Sequence, residues 1–300
     1  MAEMDRILFG DNQFFGVNHM SEEKARQQLV RFKDDGAILA VLDDAYALGI
    51  RTFMCTTHER MSAVCDHFRA HKERYPDYRF FPCMPYAHKY ANAVTQHGVL
   101  ETIKRYSGGS MIGTLFRGAM GALTKDVYEL MKLLVDGEMQ GFRGLSTPVV
   151  FVQNVVTDLL LGMGLTGVFR EFADHVAKAH GAEAGFLTMN LPRLLDALDE
   201  VGVENPIVCA NVNKIAFRMC GGKELYERTI RERRFRPIAM SVFASGAIPP
   251  EEALDYVCGQ RRIESIVFGA SSRKNIGETR DLIRKLDAKH GRETAAAGKG

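Results

Sequence analysis

The stretch SIVFGASS at residues 265–272 joins a short apolar run to a Gly-Ala-Ser-Ser turn. Such a turn at the end of a strand presents backbone N–H groups and two hydroxyls at the start of a helix, which favours anion binding. Arg273 and Lys274 follow directly and add positive charge. The alternative interpretation is a serine helix cap with exposed basic neighbours. Phosphate binding is favoured if the run is the last strand of a barrel, because barrels commonly hold phosphate at loops seven and eight.

Seven further β-branched or aromatic runs precede this one and alternate with amphipathic helical stretches, including those at 37–48, 191–201 and 249–258. This alternation predicts parallel strands joined by crossover helices. Eight units in 300 residues are enough to close a barrel, so we predict an α/β fold, a (β/α)₈ TIM barrel. The predicted strands are 6–10, 52–55, 80–84, 149–153, 185–189, 207–210, 238–242 and 265–269.

We expect a single barrel domain over residues 1–290 and a flexible tail over 291–300, because the tail consists largely of small residues. Two stretches depart from a minimal barrel. Residues 11–36 form a long polar excursion after strand one. The insertion at 107–148 holds a Gly-rich piece and then a helix of about five turns, which is either a lid or an extended third helix.

Composition excludes several classes of protein. A net charge of +2 gives no electrostatic case for a nucleic-acid partner or an anionic membrane. No run approaches the roughly 20 apolar residues of a membrane span, and no secretory signal is visible. Six cysteines without a CxxC pair predict reduced thiols in a cytoplasmic protein and do not suggest zinc. Apolar helical faces look alike against a barrel or a second subunit, so a homo-oligomer stays open.

Four segments in order along the chain resemble the aldo-keto reductase family. DDAYALGI at 43–50 is similar to the end of its first helix, and FLTMNL at 186–191 to its strand-five segment. IAMSVFASG at 238–246 is similar to its strand-seven stretch, and residues 265–272 to its I-P-G-A-S-S segment beside the 2′-phosphate of NADP(H). The resemblance implies that barrel and NADP(H) at loops seven and eight. The residues it assigns to the cofactor are Asn190, Ser241, Ser245, Gly246, Gly269, Ser271, Ser272, Arg273, Asn275 and Glu278.

The residues that this family uses for acid–base chemistry are replaced. The family places an Asp and a Tyr after strand two, a Lys at the end of strand three and a His at the end of strand four. Here the three strands end in MCTTHER (54–60), PCMPY (82–86) and VQN (152–154). Lys214 also stands where the family has a Gln that holds the nicotinamide amide, and Asn275 stands where it has an Arg. The usual mechanism of carbonyl reduction is therefore not expected.

Other polar residues at the carboxyl ends of the strands are candidates, because barrel active sites form there. His58 and His88 are candidate general bases, and Tyr86 or Tyr90 next to Lys89 is a candidate proton donor. A divalent metal could also use these histidines, but no HxH or HExxH spacing supports it and we predict no metal. The alternative for each residue is a loop hydrogen bond or surface charge. The candidate catalytic residues are Asp11, His58, Glu59, Tyr86, His88, Lys89 and Lys214.

Three functional hypotheses follow. The first is a divergent oxidoreductase that acts on a small carbonyl or hydroxyl substrate with NADP(H). The second is a non-redox lyase or isomerase that uses Lys214, freed as a nucleophile by desolvation, or the His and Tyr cluster of loops two and three. For Lys214 the alternative is an ion pair with a loop carboxylate. The third is a non-catalytic binding protein, which the clustered titratable residues disfavour.

Overall fold

The computed structural model describes residues 1–17, 21–86 and 123–292. His88, Lys89 and the Gly-rich piece of the insertion lie outside the described residues, as does most of the predicted tail. Within the described parts, no helix is long and apolar enough to cross a membrane.

All eight predicted strands are confirmed to within two residues at each end, since short apolar and β-branched runs favour extended backbone. They lie in sequence order in a closed parallel barrel, which confirms the predicted fold class. The strands are β1 (Ile7–Gly10), β2 (Thr52–Thr56), β3 (Arg79–Met84), β4 (Val149–Val152), β5 (Glu183–Thr188), β6 (Ile207–Asn211), β7 (Arg236–Met240) and β8 (Ser265–Phe268).

Helices separate the strands, as the amphipathic stretches predicted. They are α1 (Glu22–Arg31), α2 (Asp35–Ala47), α3 (Met61–Ala70), α4 (Leu123–Met139), α5 (Asn154–Gly162), α6 (Gly167–His180), α7 (Leu191–Glu200), α8 (Lys223–Glu232), α9 (Pro250–Gly259) and α10 (Arg273–Lys289). The chain packs as two compact units. The first contains β3 to β5, and the second contains β1, most of β2 and β6 to β8.

In the first unit, α4 and α6 run parallel, and the residues that meet between them are 39 positions apart in the sequence. Gly167 lies against the hydroxyl of Tyr128, and a side chain at Gly167 would collide with it. One turn on, Lys132 pairs with Glu171 at 3.3 Å. After another turn, Asp136 pairs with His175 at 2.7 Å. The described helix of the insertion therefore packs along a barrel helix, as an extended third helix would.

In the second unit, the described residues of the polar excursion at 11–36 include two helices. A 3₁₀ helix at Asn12–Phe15 and then α1 occupy much of this stretch. Phe14 is fully buried and meets Phe32 edge to face, with the ring centroids 5.0 Å apart. The predicted polar excursion thus contains two aromatic anchors that sequence periodicity did not reveal.

The start of β1 is tied to α10 by a buried ion pair. Arg6 donates from Nε and Nη2 to the two oxygens of Asp287, at 2.8 and 2.6 Å. The Asp287 side chain is 3% exposed, so the fork of the guanidinium satisfies a carboxylate that water does not reach.

Candidate functional site

In the first unit, His58 and Tyr86 follow β2 and β3 and lie beside each other. Their ring centroids are 5.4 Å apart and their planes are tilted by 56°. The His58 Nδ1 accepts a hydrogen bond from the Arg60 backbone N–H at 3.2 Å. In the neutral ring the proton therefore resides on Nε2. His58 is thus a hydrogen-bond donor at Nε2, held in one tautomer by its own loop.

Glu138 joins this cluster from the end of α4. Its side chain is buried, with 7% exposed, and accepts hydrogen bonds from the Thr57 hydroxyl and from the Tyr86 backbone N–H, the latter at 3.3 Å. A buried carboxylate needs such donors to offset the loss of water. Glu138 therefore fixes the loops that carry His58 and Tyr86. Sequence reasoning missed it because it lies in a helix 52 residues beyond Tyr86, with no local motif.

Other residues at the strand ends of this unit differ in whether their side chains are buried or exposed. Gln153, which stands where the resemblance would place a His, is buried with 8% exposed. Its backbone N–H donates to the Met84 carbonyl at 2.9 Å. Glu59 is exposed. The thiols of Cys55 and Cys83 are buried, as expected for small apolar groups.

In the second unit, the loop after β7 has a strained backbone. Ser241, Ala244 and Ser245 have φ of 54°, 46° and 57°, and Gly246 has φ of 91°. Left-handed non-glycine residues are uncommon and tend to cluster at ligand sites. A side chain at residue 246 would point into open space, since no atom beyond the neighbouring residues lies within 4 Å of the position of its Cβ. This loop therefore offers backbone groups that a ligand can approach closely.

A single tyrosine hydroxyl fixes the backbone on both sides of Asn190. Tyr226 of α8 is fully buried, and its hydroxyl accepts from the Leu191 N–H at 3.1 Å. The same hydroxyl donates to the Met189 carbonyl. The backbone that flanks Asn190 is thus fixed before any ligand binds. No sequence signal pointed to Tyr226, since it reads as an ordinary apolar position of an amphipathic helix.

Gly269, at the end of β8, touches Gln13. The Gln13 side chain is 5% exposed, and its Nε2 donates to the Gly10 carbonyl at 2.8 Å. Its Oε1 has no hydrogen-bond partner among the described residues and sits where a Cβ of residue 269 would be. Asp11 is also buried and precedes the 3₁₀ helix at Asn12–Phe15. Its carbonyl accepts a hydrogen bond from the Phe14 N–H at 2.9 Å.

The Gly-Ala-Ser-Ser turn serves as a helix cap in the structure. Ser272 is the N-cap of α10, and its hydroxyl accepts from the Asn275 N–H at 3.3 Å. The Arg31 guanidinium donates to the Ser271 carbonyl, a contact that the sequence did not predict. Arg273 pairs with Asp44 at 3.0 Å, so an incoming phosphate would compete with that carboxylate. Lys274 and Glu278 pair at 3.8 Å on the surface.

Lys214 lies in an exposed ion pair. Its Nζ is 2.6 Å from Glu252 Oε1, and both side chains are 47% exposed. The desolvation that the lysine hypothesis requires is not found. Lys214 is instead paired with a carboxylate, as the alternative predicted, although Glu252 lies in the first turn of α9 and not in a loop. The neighbouring Asn213 is buried and holds its own loop, since its Oδ1 accepts from the Phe217 N–H at 2.7 Å.

Comparison with known proteins gives a likeness in structure only. No family model matches the sequence, and no curated protein matches it significantly. Among solved structures, an aldo-keto reductase from Brucella melitensis superposes with a TM-score of 0.52 at 11% identity, covering 96% of this chain and 94% of that one. A protein of Pseudomonas aeruginosa assigned to the aldo-keto reductases gives 0.54 at 13% identity, covering 94% and 90%.

A variant of Gox0644 in complex with NADPH gives a TM-score of 0.51 at 10% identity, covering 98% of this chain and 92% of that one. These likenesses extend over nearly the whole chain, in agreement with the four sequence segments. This chain therefore has the (β/α)₈ barrel fold of the aldo-keto reductases.

Proposed function

We propose that this protein is a divergent reductase that binds NADP(H) at the loops after β7 and β8 and acts on a small carbonyl or hydroxyl substrate. The observation that carries the proposal is the preformed second unit, in which the strained loop at 241–246 accompanies a fixed Asn190. Backbone strain of about 1–3 kcal/mol per residue persists where the surrounding structure enforces it, commonly at ligand sites.

The residues present fit the nicotinamide amide, the pyrophosphate and the 2′-phosphate of such a cofactor. Asn190 offers a side-chain amide for the nicotinamide amide, and the open backbone at Gly246 suits a pyrophosphate. Gln13 Oε1, buried and without a partner among the described residues, is an acceptor for a ligand donor beside Gly269. At the 2′-phosphate side, the positive charge would come from Arg31, which bonds the Ser271 carbonyl, and from Arg273, where the phosphate would compete with Asp44. The cofactor would supply a hydride when it is bound.

Proton transfer falls to His58, because the usual acid–base residues are absent from the described strand ends. In that role Nε2 would donate its proton to a carbonyl oxygen, and in oxidation the same nitrogen would accept a proton from a hydroxyl. Glu138 acts on this chemistry through position, since it holds Thr57 and the Tyr86 backbone.

Cofactor binding is tested first, by titrating the purified protein with NADPH and with NADH and following fluorescence. We expect saturable binding that weakens in Asn190→Ala and is unchanged in Lys285→Ala, whose side chain is in an exposed ion pair with Glu251. No binding of either nucleotide at high micromolar concentration would overturn the proposal.

Turnover is tested with a panel of small aldehydes, ketones and alcohols. We expect His58→Gln to lower kcat by about 10²–10⁴ and to leave NADPH affinity unchanged. The matched control is Glu59→Gln, which removes the charge of the adjacent exposed residue. An equal loss in both variants, or none in either, would remove His58 from the mechanism.

A further inference from the structure

Three metal-ligating side chains meet on the helical layer of the first unit. His175 and His180 of α6 both direct Nε2 at the same oxygen of Asp136 in α4, at 2.7 and 2.8 Å. The two imidazole rings are 5.7 Å apart at an angle of 80°. One ligand atom from each of the three residues lies within 4.8 Å of the others.

We propose that Asp136, His175 and His180 form a binding site for a divalent transition-metal ion, with Zn²⁺ as the best fit. Imidazole nitrogen with a carboxylate oxygen is a donor set that suits zinc, copper or nickel and does not suit magnesium or calcium. Three protein ligands leave the fourth tetrahedral position for water. This site is separate from the loops that carry the proposed reductase chemistry.

The geometry requires little rearrangement. Ligand atoms about 2 Å from a tetrahedral zinc lie roughly 3.3 Å from one another. The two separations between imidazole nitrogen and carboxylate oxygen, at 2.7 and 2.8 Å, need to open by roughly half an ångström to admit the ion. The imidazoles are 15% and 17% exposed, which fixes their positions, whereas the carboxylate is 48% exposed and is free to retreat. The exposed side also gives the ion an entry path and a place for its water.

An ion pair already joins α4 and α6 one turn before the proposed site. Lys132, one turn earlier on α4, bridges Glu129 of its own helix and Glu171 of α6, at 3.2 and 3.3 Å. The metal would add the next bridge along the same parallel seam. His175 and His180 both reach Asp136 although they are five residues apart. His180 is the last residue of α6, and Gly181 ends the helix with φ of 62°.

The structural consequence is that the packing of α4 against α6 becomes more stable when the metal is bound. Bound Zn²⁺ stabilises only the folded protein, in which the three ligands are brought together. Because Glu138 lies two residues beyond Asp136, the ion also fixes the helix end that holds Thr57 and Tyr86.

The experiment uses the full chain stripped with a chelator, in a Cys220→Ser background, since Cys220 is an exposed thiol that would itself bind zinc. Zn²⁺ is titrated by calorimetry, and thermal unfolding is followed with Zn²⁺ and with chelator. We expect micromolar binding and a rise in Tm of several degrees with Zn²⁺. Asp136→Asn and His180→Gln should each lower the affinity of one site at least about tenfold and abolish the Tm rise.

His71→Gln is the matched control, because His67 and His71 form another histidine pair, in α3 and at its end, with ring centroids 4.5 Å apart. This variant should keep both the Tm rise and the site. Co²⁺ supplies an independent readout, as a four-coordinate site gives strong visible absorption that His180→Gln should lose. Unchanged zinc stoichiometry, affinity and Tm response in His180→Gln and Asp136→Asn would overturn the proposal. So would a Tm that drops in these variants with no response to Zn²⁺ in the parent, which is the behaviour of an ion pair alone.

Discussion

At residue 269 there is no room for a side chain, because the Gln13 amide oxygen fills the place of a Cβ. We expect Gly269→Ala to lower the free energy of unfolding by about 1–3 kcal/mol, the usual cost of overpacking a filled site. Urea denaturation measures it. In a Gln13→Ala background the same substitution should cost little, since the colliding group is gone. Gly162→Ala, where no atom lies within 4 Å, is the control and should be neutral or stabilising.

Tyr226 provides a second test at the scale of one atom. Tyr226→Phe removes the hydroxyl that bonds Met189 and Leu191, and a buried N–H without a partner costs about 1–3 kcal/mol. If NADPH binds near Asn190, its Kd should rise in this variant through lost positioning. Tyr256→Phe, which removes a hydroxyl bonded to Glu227 at 2.9 Å, should leave the Kd unchanged. Equal Kd values in all three proteins would show that the tyrosine only stabilises the fold.

At the scale of elements, the Arg6–Asp287 pair joins the start of β1 to α10. Asp287→Ala leaves a largely buried guanidinium, which is 19% exposed, without its carboxylate. Breaking one side of a buried pair costs about 3–5 kcal/mol. We expect the free energy of unfolding, measured by urea denaturation, to fall by about that amount, and Tm to fall with it. Glu251→Ala, which removes an exposed partner of Lys285, should change this free energy by less than about 1 kcal/mol.

For the insertion helix α4, the local sequence predicted that a helix forms but not where it packs. The insertion helix was predicted from its length and periodicity, but its position was left open between a lid and a barrel helix. In the structure it packs along α6, where Lys132 and Asp136 pair with residues 39 positions later in the chain. Pairs at that separation leave no trace in local sequence.

Across the whole molecule, the cysteines report how completely the chain is folded. Cys220 is exposed and the other five cysteines are buried. Burial raises the pKa of the Cys65 and Cys258 thiols to about 12, so neither forms a thiolate near neutral pH. A thiol reagent at pH 8 should therefore modify one residue quickly, and Cys220→Ser should abolish that phase. Rapid modification of several thiols would show that the described packing is not maintained in solution.

The same pKa shifts predict a loss of stability in alkali. A thiol with a folded-state pKa above its ordinary value of 9.0 binds its proton more tightly in the folded chain. Its contribution to stability is therefore full below pH 9 and declines as the pH rises towards 12. Urea midpoints measured between pH 8 and pH 11 should fall less steeply in Cys65→Ala than in the parent. Parallel curves would contradict the shift at Cys65.

The sequence by itself determined the eight strands, their parallel arrangement and the barrel. These features depend on the local alternation of apolar strands and amphipathic helices, which neighbouring residues encode. It also predicted a cofactor role for Asn190, the loop at 241–246 and the turn at 265–272, which stays a prediction. Only the tertiary structure decided which side chains meet. Glu138 beneath Tyr86, the Tyr226 hydroxyl around Asn190 and Asp136 between two histidines each join residues tens of positions apart. Such contacts arise from how the helices and strands pack, because distance in space is not set by distance along the chain.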